Sequence, residues 1–129
     1  MRFVLAGHLL PRDGYGYGAI KIAEQLERIA GQRPDLDVEV VDLSSTRRPW
    51  AFNDPTVAVC APEWLSEIAA PQVVSYTMFE ASRLPRGWSE LLNERADHVL
   101  VPCSWCARVF RDNGVTVPIS VARWGIDPH

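Results

Sequence analysis

The stretch that most constrains this chain is its first thirty residues. Arg2-Phe-Val-Leu-Ala-Gly7 is a short apolar run with β-branched and aromatic members; Asp13-Gly-Tyr-Gly-Tyr-Gly18 follows, and then the period changes from Ala19 to Ala30. The run reads as a buried strand, and the second segment as a helix whose Ile22, Leu26 and Ile29 share a face with Ala19, Ala23 and Ala30. Strand, glycine-spaced loop and helix in that order open an α/β domain, in which ligands are expected at the carboxyl ends of the strands.

Gly14, Gly16 and Gly18 lack Cβ atoms, so a ligand or a neighbouring loop can come against the backbone there. The helix behind them offers unpaired N–H groups to an anion. The spacing is G-x-G-x-G, however, and seven residues including Pro11 run from His8 to Gly14, where the dinucleotide fingerprint G-x-G-x-x-G needs a tight turn. Two readings stand: a loop facing phosphate or acceptor, and a structural loop.

The rest of the chain repeats strand, loop and helix. Gly31 and Pro34 stop the first helix, and Val38-Glu-Val-Val-Asp42 is the second strand. Asp42 stands where a dinucleotide enzyme keeps its ribose carboxylate, but the glycine spacing favours an exposed strand-end residue. Ser44 to Asn53 is polar and turn-prone, with Trp50 and Phe52 as local anchors; Val57 to Cys60 is a short buried strand, and Pro62 opens a short helix or turn. Val73 to Phe79 is the central strand candidate. Glu80, Ser82 and Arg83 follow it on the expected carboxyl edge, Glu80 being either a site residue or a structural carboxylate that caps the next turn. Ser89 is the expected N-cap of a helix carrying Trp88, Leu91 and Leu92. His98 to Val101 is a further strand. Ser104 to Asn113 is a helix with Trp105, Val109 and Phe110 at compatible spacings, Gly114 closes it, and Pro118 to Ala122 supplies the last strand. The expected product is one domain over residues 1–129, with a parallel sheet of five or six strands.

Composition excludes several classes of function. The 129 residues carry thirteen basic and sixteen acidic side chains, a formal charge of −3, with no basic tract dense enough to track a nucleic acid. The N-terminus lacks the pattern of a signal peptide, and no window of about eighteen residues is apolar enough to span a membrane, so the expected location is cytoplasmic. Cys60, Cys103 and Cys106 do not form a disulfide scaffold. Cys103-Ser-Trp-Cys106 is a C-x-x-C at a helix start, read either as a redox pair or as buried helix cysteines. A zinc site lacks its remaining ligands, and no metal is expected.

Several segments taken together resemble one family. Tyr76-Thr-Met-Phe-Glu-Ala-Ser-Arg-Leu-Pro-Arg-Gly-Trp88, Leu92 to Asp97, Val101-Pro102, Trp105 to Phe110, Gly114-Val115, Pro118-Ile119 and Gly125-Ile-Asp127 look like the N-terminal domain of retaining, nucleotide-sugar-dependent group 1 glycosyltransferases. The resemblance implies a Rossmann-like three-layer sandwich with a mostly parallel sheet, the acceptor-side half of a two-domain enzyme. It assigns Gly14, Tyr15, Gly16, Tyr17 and Gly18 to a donor-phosphate loop. His8, Tyr76, Met78, Phe79, Glu80, Ser82 and Arg83 fall on the acceptor side, and Ser104, Gly125 and Asp127 at the interdomain edge. Two departures are local: Cys103 stands where the family more often has serine, and Ala122-Arg123-Trp124 replaces the more usual Val-Pro.

A nucleotide diphosphate sugar is the implied substrate, with no tightly bound cofactor. The donor-binding half of such an enzyme, with its basic pair and two glutamates, has no counterpart in these residues, so the chain alone is expected to transfer no sugar at a useful rate. A separate donor-binding chain or self-association is the implied remedy, with Tyr15, Tyr17, Trp50, Trp88 and Trp124 as expected exposed aromatics at the interface. The competing reading is a non-catalytic saccharide- or partner-binding module on the same fold.

Overall fold

Three consecutive apolar residues can all be buried in one strand only if both faces of its sheet are covered. The computed structural model, which describes residues 1–10, 14–45, 47–79 and 81–123, buries Val4, Leu5 and Ala6 together in β1 (Arg2–Gly7). The chain continues through α1 (Gly14–Gln32), β2 (Asp37–Asp42), β3 (Trp50–Ala51), β4 (Thr56–Val59), a 3-10 helix (Pro62–Glu67), β5 (Ile68–Ala69) and β6 (Val73–Tyr76). It ends in α2 (Trp88–Arg95), β7 (His98–Val101), α3 (Ser104–Asp112) and β8 (Ile119–Val121). Six strands pair in the order β2-β1-β4-β6-β7-β8, every pair parallel. A separate two-stranded pair, β3 with β5, was not foreseen.

Alternation along the strands sends side chains into two cores. Leu5, Val59 and Tyr76 meet Ala19 and Ala23 of α1 on one face, with Ile22 and Leu26 packed beside them. Val4, Ala6, Ala58, Val99 and Val101 point the other way, onto Leu65 of the 3-10 helix, Trp88 and Leu92 of α2, and Phe110 of α3. The result is a Rossmann-like, three-layer α/β fold with a parallel sheet in the middle. From β1 the chain crosses to β2 on one side and then returns to β4 on the other. The carboxyl ends of β1 and β4 therefore flank the switch-point crevice of such sheets.

The glycine-spaced segment departs from expectation. Gly14 to Gly18 form no loop; they are the first turns of α1, which begins at Gly14 and not at Ala19. Glycine costs a helix about 1 kcal/mol per residue relative to alanine, so other contacts hold these turns. The reason for Gly16 is close approach: a Cβ there would lie 1.7 Å from the Leu10 carbonyl oxygen. Gly7 is confined in the same way, since its Cβ would come within 3.1 Å of both Ala19 Cβ and the Val59 carbonyl oxygen. Together with buried Gly18 and Ala19, these residues bring the helix start close to the end of β1.

Three smaller expectations are also corrected. Gly87, with φ of +89°, is the N-cap of α2, so Ser89 lies inside the helix. Trp105 is 42% exposed, while Cys106, Ala107, Val109 and Phe110 form the buried face of α3. Trp50 and Trp88, expected at an exposed rim, are core residues, and Tyr15 is half-buried. Tyr17 is exposed as expected, at 56%, and Trp124 lies outside the described residues. Gly114 does close α3: at φ of +96° it donates to the Arg111 carbonyl, while Val115 donates to Phe110, the Schellman pattern.

Candidate functional site

Parallel strands deliver their following loops to one edge, and three of those loops build the candidate site. The loop after β1 contributes His8, that after β2 contributes Leu43, Arg47 and Arg48, and β3 with the 3-10 helix contributes Trp50 and Trp64. They line an open cavity of about 370 Å³. The His8 ring stands edge-on to Trp50 at 6.1 Å and tilted against Trp64 at 4.9 Å, with the two indoles 6.1 Å apart. The Arg48 guanidinium lies 5.3 Å from the centre of the Trp64 ring, within cation–π range. Among the described groups, His8 Nε2 is buried without a hydrogen-bond partner. The pocket walls thus combine apolar planes with exposed cations, and none of the six lining side chains is a carboxylate.

Asp42 fixes this arrangement from behind. Its Oδ1 accepts from the Leu9 N–H at 3.1 Å, from the Ser44 N–H at 3.0 Å and from the Ser44 hydroxyl. It therefore ties the loop after β1 to the loop after β2, and it is half-buried, not the exposed strand-end residue expected. Partial burial alone would raise its pKa; the hydrogen bonds from Ser44 and Leu9, with a smaller contribution from His8, overcome that and hold it below the ordinary value.

On the other side of the crevice, Tyr15 in the first turn of α1 reaches the end of β6. Its hydroxyl donates to the Met78 carbonyl at 2.6 Å, accepts from the Met78 N–H at 3.1 Å and shares a hydrogen bond of 2.8 Å with Thr77 Oγ1. Burial pushes the Tyr15 pKa up, opposed by the bonds to Thr77 and Met78. Tyr15 is thereby a fastener between helix and sheet.

The sequence-based site divides accordingly. His8, Tyr15 and Met78 gather at the carboxyl edge with Gly16, whose Cβ position lies 3.2 Å from the His8 carbonyl oxygen. Tyr17 is exposed, and Gly18 is buried. Phe79 packs edge-on to Trp88 at 5.2 Å and lines no part of the pocket. Tyr76 is buried in the α1-side core, its hydroxyl donating to the Ala122 carbonyl, and burial pushes its pKa up to about 12. Ser82 and Arg83 are exposed but displaced from the carboxyl edge. Asn113, at the far end of α3, donates to the Ser82 carbonyl at 2.9 Å and accepts from the Leu84 N–H at 3.1 Å, which draws this loop toward the opposite edge of the sheet. Ser104 is exposed at the start of α3, on the carboxyl side. Glu80, Gly125 and Asp127 lie outside the described residues.

Sequence reasoning missed Leu43, Arg47, Arg48 and Trp64, and treated Trp50 as a local anchor and an exposed rim aromatic, not as a pocket wall. The available signal was a pair of arginines and one tryptophan in the turn-prone stretch from Ser44 to Asn53, with a second tryptophan in the segment after the next strand. Among the described residues no helix is long and apolar enough to cross a membrane, and no group of three His, Cys, Asp or Glu side chains is placed to hold a metal. No family model matches the chain, and neither a curated protein nor a solved structure matches it.

Proposed function

We propose that this domain supplies the acceptor-side wall of a nucleotide-sugar transfer site, whose donor-binding domain comes from outside these residues. The observation that carries the proposal is the aromatic and cationic pocket at the carboxyl edge. Indole faces suit the C–H faces of a sugar ring, and pockets of this kind fix orientation with a few polar groups. Arg47 and Arg48 suit phosphate oxygens, which guanidinium groups bind through paired N–H donors. The unpartnered Nε2 of His8 supports a further role, holding a sugar hydroxyl at the pocket floor.

In the reaction, the bond between the donor sugar carbon and its phosphate oxygen breaks, and a bond to the acceptor oxygen forms. The acceptor hydroxyl gives its proton to the departing diphosphate or to solvent, and the diphosphate keeps the electron pair of the broken bond. Positioning of the acceptor by the indoles would be the main contribution of this chain; stabilisation of the leaving diphosphate needs several aligned donors, most of which belong to a second domain.

A second reading, a saccharide-binding module without catalysis, is favoured by the lack of any carboxylate among the pocket walls. Tryptophan fluorescence titrations with free oligosaccharides and with nucleotide diphosphate sugars test both. Transfer by the chain mixed with a donor-binding partner supports the first reading, and saccharide binding without turnover supports the second. Absence of binding by both ligand classes, or binding unchanged in Trp64→Ala, sinks the pocket as the site.

A further inference from the structure

Two of the three cysteines stand at the same edge of the sheet, outside the pocket. Cys103 is the N-cap of α3, with extended backbone angles of −155° and 164°, and Cys106 is the third residue of the helix. Side chains at these two positions face one another across the first helical turn, the same relation that lets an N-cap and the third helical residue bond reciprocally. Cys103 is half-buried and reachable from solvent, whereas Cys106 is only 5% exposed. The Cys106 thiol donates to the Phe79 carbonyl at 3.7 Å, so it also ties α3 to the segment leaving β6.

We propose that Cys103 and Cys106 form a reversible thiol–disulfide exchange site at the amino end of α3, with Cys103 as the attacking sulfur and Cys106 as the resolving one. The oxidant is a low-molecular-weight disulfide. The Cys103 thiolate attacks one of its sulfurs, making a mixed disulfide and expelling one thiolate. Cys106 then gives up its proton and attacks the Cys103 sulfur, closing the intramolecular disulfide and releasing the second thiol. In total the protein loses two hydrogens and the small disulfide gains them.

The electrostatics support this order of attack. As a neutral thiol, Cys103 makes no capping hydrogen bond. As a thiolate it is favoured by the Cys106 N–H and thiol, then by the Trp105 N–H and the Arg123 charge, which hold its pKa below the ordinary thiol value. Cys60 is the internal contrast: burial pushes its pKa up to about 12, and it is only 1% exposed. Closure of the disulfide removes the Cys106 S–H from the Phe79 carbonyl, so oxidation loosens the segment that carries Met78 and Phe79.

The test equilibrates the full chain with reduced and oxidised glutathione over a range of ratios and maps the products by mass spectrometry. The expected result is a loss of two hydrogens confined to Cys103 and Cys106, with Cys60 unmodified. Cys106→Ser should accumulate one glutathione on Cys103, and Cys103→Ser should stay unmodified at Cys106. Alkylation of Cys103 in the wild-type chain should rise with pH at a midpoint below that of a thiol in an unstructured peptide. If a variant does not fold, the wild-type time course still decides, because the mixed disulfide must appear on Cys103 before the intramolecular bond. No intramolecular disulfide at any ratio, first attack at Cys106, or an alkylation midpoint at or above the peptide value would overturn the proposal.

Discussion

The hydroxyl of Tyr15 holds both backbone groups of Met78, accepting from its N–H and donating to its carbonyl, while Thr77 shares the same oxygen. One side chain thus joins the first turn of α1 to the end of β6, across the carboxyl end of β4. This bond set holds in place a helix start that its glycines would otherwise weaken. Tyr15→Phe keeps the ring and leaves the Met78 groups unpaired, which costs about 1–3 kcal/mol for buried polar groups. Urea unfolding should show a lower midpoint at unchanged slope. A midpoint equal to wild type would show that the fastening is not energetically significant.

The two ends of α1 respond oppositely to the same substitution. Gly16→Ala places a methyl group against the Leu10 carbonyl and should destabilise by about 1–3 kcal/mol or more, as overpacking does. Gly31→Ala meets nothing within 4 Å and gains helix propensity, so it should stabilise by up to about 1 kcal/mol. Thermal unfolding of the two variants side by side checks the difference in sign.

Acid should weaken the join between the loops after β1 and β2. Asp42 has a folded-state pKa below its ordinary value of 3.8, so its contribution is fully present above that value and is lost as pH falls through the depressed one. Asp42→Asn removes that contribution. The variant should be less stable than wild type at neutral pH, and the gap should narrow as pH falls below about 3.8. A gap independent of pH would assign the effect to shape and not to charge.

The pocket walls should separate two parts of a ligand. Trp64→Ala should weaken binding of a neutral oligosaccharide about tenfold, equivalent to about 1.4 kcal/mol. Arg47→Ala with Arg48→Ala should leave that binding nearly intact while weakening a nucleotide diphosphate sugar, and the salt dependence of its binding should flatten. Calorimetry at two ionic strengths distinguishes the outcomes. Equal losses for both ligands in both variants would contradict the division of roles.

Phe3 to Ala6 and Val99 to Val101 were legible because burial on both faces writes apolar runs, and the edge strands Val38 to Val41 and Ile119 to Val121, which alternate with Glu39 and Ser120, were legible from their β-branched content and bounding turns. Gly114 was legible too, since a left-handed residue after a helix leaves a local signal. The start of α1 was not. Low propensity argues locally for a loop at Gly14 to Gly18, and the distant partners Thr77 and Met78, bound by Tyr15, hold it as helix. The course of the Ser82 loop was not legible either, because Asn113, thirty-one residues away, donates to the Ser82 carbonyl. The pocket shows the same limit. Its tryptophans and arginines are visible in the sequence, but their meeting with His8 depends on β1 and β2 being neighbours. Periodicity, a property of nearest neighbours along the chain, fixed the strands and most of the helical pattern; contacts between distant segments decided where the helix begins and which side chains share a site.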